Sequence, residues 1–328
     1  MNMRLIKTIF SILLIFITRT TFALTFDLPT QENGVVGQVQ KTTIEKGQDP
    51  HEIARQFDVG YDALLAANPR VNFAKVRKST ELLIPTQFIL PSVRDGIVIN
   101  LAEKSLYYFP ANESKVYVFP IGIGQLGWST PIGTTSVFQK VRNPIWTVPN
   151  SVYKKLADQG IYVAKQILPG PDDPLGSYAL RLALRGYLIH GTNDLNSVGS
   201  RSSSGCIRLL PNDIEELFKN VPTNTAVHVI NEPYKAAWSG GQLYLEAHHP
   251  LDDSKAVDNL QNNNSNLQTK DIKFNEAGGV DGSGQYMSIK AVITTANAGQ
   301  NKPINWNLLK KVTKQPMGIP MVVSLDKE

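Results

Sequence analysis

The chain has 328 residues and a single cysteine, Cys206, in Ser203-Ser204-Gly205-Cys206-Ile207-Arg208. It follows His190, which stands in Leu188-Ile189-His190-Gly191-Thr192-Asn193. A thiol becomes a strong nucleophile when its proton is removed, and an imidazole titrating near neutral pH is suited to remove it. These two side chains predict nucleophilic catalysis by a cysteine. Gly205 permits a tight turn that aims main-chain N–H groups at an oxyanion. Arg208 lies two residues beyond Cys206, so in an extended segment it shares the thiol's face, where it suits a substrate carboxylate or lowers the thiol pKa. Spacing alone is moderately specific, because a buried free cysteine is commonly inert.

A β-rich domain has to hold these residues. Runs at 96–101, 105–109 and 115–119 read as strands, with further strands expected at 136–140, 146–148, 180–184, 188–190 and 226–230. A helix is expected at 212–220, with Ile214, Leu217 and Phe218 as its apolar face. Cys206 then stands between that helix and a Ser/Gly-rich loop at 193–204, whose flexibility would let it fold back and bring thiol and imidazole together. Tyr107, Trp128, Trp146, Tyr178 and Arg181 are candidates for a groove lining, with core packing as the alternative for each aromatic. Gly122-Ile123-Gly124 is no dinucleotide loop, since Trp128-Ser129-Thr130-Pro131 prevents the helix such a loop needs.

Ahead of this domain, 41–85 reads as a small βααβ unit, with strands at its two ends and short helices around Ile53-Ala54 and Leu64-Leu65. Behind it, 258–268 is an Asn-rich linker, and 289–295, 306–313 and 320–325 suggest a small terminal α/β element. The amino terminus reads as an export signal: Arg4 and Lys7, an apolar run at 9–17, and Thr21-Phe22-Ala23 before a cleavage point, so that the mature chain starts at Leu24. The run is roughly half of the ~20 residues of a transmembrane helix. A lone thiol in an exported chain has no internal disulfide partner, which favours a chemical use for it.

Composition is ordinary for a globular protein, with 42% hydrophobic and 19% charged residues. The net charge is +5, but Lys and Arg are scattered without a basic run, which argues against nucleic acid. His51, His228, His248 and His249 show no cysteine or carboxylate spacing for a metal, so no metal and no cofactor are expected.

Tyr187–Asn193, Ser203–Leu209, Asn212-Asp213, Gly122-Ile123-Gly124 and Thr130-Pro131-Ile132-Gly133 together resemble the L,D-transpeptidase catalytic domain of the YkuD type over 95–231. The resemblance implies Cys206 as nucleophile and His190 as base, with Gly205 at the oxyanion, and Ser203, Ser204, Arg208, Gly191 and Thr192 around the substrate. It implies action on peptidoglycan tetrapeptide stems in wall biogenesis. The position before Gly205 is often histidine in that family and is Ser204 here. Its implied role runs through the backbone carbonyl, which orients the imidazole, so serine suffices.

Lys46-Gly47, Ile53-Ala54, Val59, Leu64-Leu65, Ala67-Asn68-Pro69 and Leu82-Leu83-Ile84-Pro85 resemble a LysM module over 40–86, implying glycan binding. Where such modules carry Gly-Asp-Thr-Leu, this chain has Gly47-Gln48-Asp49-Pro50-His51. Residues 234–251 resemble the hairpin of the ErfK/YbiS group, associated with attaching an outer-membrane protein to the wall. The expected organisation is α+β and multidomain: signal peptide 1–23, LysM-like module 40–86, catalytic domain 95–231, and a C-terminal extension 232–328, in the periplasm. Two other functions stay open here, a non-catalytic peptidoglycan-binding scaffold and an L,D-carboxypeptidase or hydrolase using the same cysteine.

Overall fold

The computed structural model describes residues 23–29, 34–45, 47–251 and 287–325. The export segment up to residue 22 and the Asn-rich stretch at 258–268 lie outside the described residues. No helix among the described residues is long and apolar enough to cross a membrane.

The described chain starts with β1 (Leu24–Asp27) and β2 (Val35–Gly37), then forms a small βααβ unit. Its elements are β3 (Gln40–Ile44), α1 (Pro50–Gln56), α2 (Tyr61–Ala67) and β4 (Thr80–Ile84), with β3 and β4 antiparallel. Helices of seven residues do not persist alone; here Ile53 and Leu64 close on Ile44, Leu82 and Ile84 in a shared core. Asp49 caps α1 by accepting from the His51 N–H at 2.9 Å, and the His51 ring stacks on Tyr61 at 3.7 Å. The altered loop at 47–51 thus serves the start of α1. Asn68 fastens α2 to β4: its Nδ2 donates to the Leu64 and Leu83 carbonyls, each at 2.8 Å, and its Oδ1 accepts from the Leu83 N–H.

After β5 (Gln87–Ile89), which pairs with β2, comes the central domain. It contains β6 (Gly96–Asn100), β7 (Ser105–Phe109), β8 (Lys115–Pro120), β9 (Ile123–Gly124), β10 (Gly133–Arg142), β11 (Trp146–Thr147), α3 (Asn150–Asp158) and β12 (Gln166–Ile167). It continues with β13 (Tyr178–Leu182), β14 (Leu188–His190), β15 (Arg201–Ser203), β16 (Ile207–Arg208), α4 (Pro211–Asn220) and β17 (Ala226–Ile230). Nine strands make one sheet in the order β1-β8-β7-β6-β17-β10-β13-β14-β16. β6 lies inside it, buried at every residue, antiparallel to β7 and parallel to β17. Alternation sorts the side chains by face. Ile97, Ile99, Leu106 and Phe119 meet Ile214 and Leu217 of α4, while Val98, Tyr107, Phe109 and Val118 pack on the other side with Val36 and Leu90.

Two elements of this domain lie outside the strands and helix expected from the sequence. β1 joins the sheet edge through β8, from Leu24↔Val118 to Asp27↔Lys115. α3 buries none of its side chains. The segment at 193–204, expected to be a flexible loop, is instead held by a 3-10 turn at Leu195–Ser197 and by β15, which runs parallel to β9.

The small unit sits against this segment. The Asp62 N–H donates to the Gly199 carbonyl at 3.3 Å, Arg55 Nη1 to Asn196 Oδ1 at 2.7 Å, and the Asp62 carboxylate pairs with Lys104 at 3.1 Å. Beyond β17, β18 (Tyr234–Ser239) and β19 (Gln242–Ala247) form a hairpin, to which β20 (Met321–Val322) adds on β19. Leu243 and Leu245 pack there against Ile293 of α5 (Ile289–Asn297) and Leu309 of α6 (Trp306–Lys314).

A buried ionic group joins hairpin and central domain. Lys235 pairs with Glu103 and, at 3.2 Å, with Glu246, and donates to the Ile89 carbonyl; the Tyr107 hydroxyl donates to Glu103 at 2.6 Å. Charges are tolerated at such depth when each is paired. His248, expected to lack carboxylates, lies 2.7 Å from Glu246. Glu103, Glu246 and His248 bring their ligand atoms within 4.8 Å of one another, and the Lys235 ammonium already supplies a cation there.

Candidate active site

β14 and β16 are adjacent parallel strands, with Ile189 opposite Ile207 and His190 opposite Arg208. Ile189 and Ile207 enter the main core. Alternation therefore turns His190 and Arg208 to the opposite face, and Cys206, one residue before Ile207, emerges on that face beside Leu188. The thiol is partly exposed, and Sγ donates to the Gly186 carbonyl at 3.8 Å.

His190 is 3% exposed, and its Nδ1 donates to the Gly191 carbonyl at 2.5 Å. A carbonyl only accepts, so Nδ1 carries the proton and Nε2 keeps its lone pair. Burial pushes the imidazole pKa down to about 4, with the nearby Arg208 charge in the same sense and backbone bonds to Gly191 and Leu175 opposing. Burial pushes the Cys206 thiol up, against a Leu188 backbone bond and the Arg208 charge. Both groups rest uncharged at neutral pH. The orienting carbonyl that the sequence reading gave to Ser204 belongs to Gly191.

The turn before the cysteine is closed from within. Gly205, at φ +106°, donates its N–H to Ser203 Oγ at 3.1 Å, and its carbonyl accepts from Thr130 Oγ1 at 2.8 Å. Ser203 Oγ donates to the Cys206 carbonyl at 2.5 Å and is itself 1% exposed. The Gly205 N–H is thereby committed, which corrects its expected part as an oxyanion donor. Ser203 fastens the turn and does not face a substrate. Thr192 is also buried, exchanging hydrogen bonds with the Asp194 carbonyl at 3.2 Å and N–H at 3.0 Å, and buried Gly191 acts through its carbonyl. Of the residues expected around the substrate, Ser204 is exposed and Arg208 half-buried. Arg208 Nε is buried with no hydrogen-bond partner among the described residues. An orphaned guanidinium donor beside a thiol suits an arriving carboxylate.

Tyr187, at the start of the motif that holds His190, packs against the turn before the cysteine. A Cβ on Gly205 would meet the Tyr187 ring at 3.0 Å, and burial together with Cys206 raises the phenol pKa. Lys155 of α3 stands over the Trp128 ring at 5.4 Å, and the Trp128 carbonyl lies 3.5 Å from the same Gly205 position, so α3 borders the site. Tyr107, a groove candidate from the sequence, is fully buried in the far-face core.

Fold and site thus define an α+β protein with a thiol, an imidazole and a guanidinium whose Nε is unsatisfied on one face at a sheet edge. Residues 94–229 match the YkuD family, the L,D-transpeptidase catalytic domain. The probable L,D-transpeptidase YbiS of Escherichia coli is 42% identical over 263 residues, 78% of this chain and 85% of that one. The probable L,D-transpeptidase ErfK/SrfK of Escherichia coli is 40% identical over 259 residues, 77% of this chain and 83% of that one. A solved L,D-transpeptidase structure from Mycobacterium tuberculosis shares 18% identity over 47% of this chain and 74% of that one, with a TM-score of 0.31. The chain belongs to the L,D-transpeptidase family.

Proposed function

We propose that this chain is an exported transferase in which Cys206 attacks the diaminopimelate carbonyl of a peptidoglycan tetrapeptide stem. The observation that carries this reading is the common face of Cys206, His190 and Arg208 on β14 and β16. As the S–C bond forms, the thiol proton passes to His190 Nε2, and the Cys206 N–H, in place of the committed Gly205 N–H, supports the oxyanion. Collapse breaks the amide to the terminal D-alanine, whose amine leaves with the proton from His190. An acceptor amine then attacks the thioester, giving its proton to Nε2, and a new amide and the free thiol result. Arg208, half-buried on the thiol's face, holds a stem carboxylate through its guanidinium.

An acceptor amine on a second stem's diaminopimelate gives a 3-3 cross-link, and one on an outer-membrane protein gives a wall tether. The small βααβ unit acts as a LysM-like glycan anchor beside the 193–204 segment, which suits a substrate carried on a glycan strand. Intact mass spectrometry of residues 24–328 with a tetrapeptide muropeptide tests the reading. A stem adduct lacking D-alanine is expected on the wild type and not on Cys206→Ala. Absence of an adduct on folded wild type would favour the wall-binding scaffold, and an adduct that ends only as free stem would favour hydrolysis.

A further inference from the structure

A buried acidic pocket lies between the small unit and α4, away from the thiol. Asp58 follows α1 in the left-handed region at φ +53°, and Asp213 stands in the first turn of α4; they are 4% and 2% exposed. Both Asp58 carboxyl oxygens and Asp213 Oδ2 are buried with no N–H donor at hydrogen-bond distance among the described residues, and the two carboxyls hydrogen-bond each other when one of them holds a proton. Glu216, on the same helix, adds a third negative group. Burial pushes the Asp58 pKa up to about 7, and burial with the nearby Asp58 and Glu216 pushes Asp213 well up. Besides burial, the groups that act on the two aspartates are each other, Glu216 and the Leu24 N–H. Carboxyls so deep and so close are stable together only if they hold a proton or receive a cation.

Two consecutive main-chain nitrogens reach this pocket. The Ala23 N–H donates to Glu216 Oε2 at 3.1 Å. The Leu24 N–H acts on the Asp58 carboxyl and lowers its pKa, short of ordinary hydrogen-bond geometry. The β1 register, Leu24↔Val118, fixes residue 24 in this position. The same peptide bond is the cleavage point of the export signal expected from the sequence. Its hydrolysis takes up one water, leaves a carboxylate on Ala23 that departs with the leader, and leaves on Leu24 an amine that takes up a proton.

We propose that the α-ammonium of Leu24, released by this cleavage, is the cation of the pocket and docks between Asp58, Asp213 and Glu216. An ammonium has three N–H donors, and it takes the place of the proton that the two aspartates otherwise share. Asp58 belongs to the small unit and Asp213 to the helix that follows the cysteine, so the new terminus pins one to the other. Export and leader removal then complete the junction between wall-facing unit and catalytic domain. This site is independent of the chemistry at Cys206.

The test compares two forms of the full mature chain. One begins at Leu24, released from a fusion that leaves no added residue; the other keeps Ala23 preceded by an uncharged Gly-Ser extension. The Leu24 form is expected to melt higher by roughly 2–5 °C, a gap that closes when both carry Asp58→Asn and Asp213→Asn. The extended form with these asparagines is expected to melt no lower than its parent, since it loses buried acid, which separates loss of the pocket from a folding failure. The exported protein should show by mass a first residue of Leu24. Equal melting of the two forms, a gap that survives the asparagines, or another first residue would overturn the proposal.

Discussion

His190 and Arg208 are register partners on neighbouring parallel strands, and the guanidinium helps keep the imidazole uncharged. The imidazole keeps its Nε2 lone pair, with Nδ1 tied to the Gly191 carbonyl. Burial is the larger cause, and it brings the pKa from 6.5 to about 4.

The first prediction concerns acid. Because the folded pKa lies below the unfolded value, the folded state binds fewer protons than the unfolded state once pH falls below about 6.5. His190 therefore leaves stability untouched above about pH 6.5 and removes on the order of 3 kcal/mol by pH 4. Calorimetry across that window should show a steeper fall in melting temperature for the wild type than for His190→Gln. Equal slopes would mean that the imidazole is not held neutral in the fold.

Cys206→Ala should lose all acylation by muropeptide while keeping its melting temperature within roughly 2 °C, because a partly exposed thiol contributes little packing. Mass spectrometry and thermal melting on one sample check both halves. A persistent adduct would place the nucleophile elsewhere.

Arg208 should act through its guanidinium. Arg208→Gln is expected to lower kcat/KM for the tetrapeptide stem by about 10- to 100-fold, the scale of one charged hydrogen bond. Arg208→Lys should recover only part, since an ammonium keeps the charge without the planar fork. Steady-state kinetics on both variants decides it, and full recovery with lysine would reduce the residue to a point charge.

Ser203 sits inside the turn and is expected to affect the chemistry without touching substrate. Ser203→Ala strands the Gly205 N–H and the Cys206 carbonyl, at a cost of about 1–3 kcal/mol, so melting should fall and kcat should drop with KM near wild type. A raised KM at unchanged kcat would instead restore the substrate-facing role that the motif implied.

The strand that ends in His190 was legible because alternation and Gly/Pro punctuation act within a few residues, whereas β16 beside Cys206 has two residues and was not. The helix at 211–220 was legible from its apolar face and its starting proline. What the sequence hid depends on contacts made at long range. Ser203 and Thr192 look like exposed hydroxyls in a motif and prove buried, because their partners are main-chain groups that only the folded turn supplies. β1 alternates over only four residues directly behind the export segment, and its pairing with β8 spans about ninety residues. Lys235, Glu103 and Glu246 read as surface charges until the hairpin brings them together.

The last prediction concerns how the small unit is seated. Gly199 carries φ +81°, and a Cβ there would lie 2.3 Å from the Tyr61 nitrogen and 2.5 Å from the Gly60 Cα, both rigid backbone. Gly199→Ala must therefore lift α2 away and lose the Asp62–Gly199 and Arg55–Asn196 bonds, costing about 2 kcal/mol or more. Gly299 has φ +85° with nothing within 4 Å of its Cβ position, so Gly299→Ala carries the backbone strain without the collision. If the seat matters, Gly199→Ala should melt below Gly299→Ala and be cut faster by protease in the connections flanking the unit. Since Gly199 also donates to the Ile121 carbonyl on the strand side of the 193–204 segment, the same variant should slow acylation at Cys206, whereas Gly299→Ala should not.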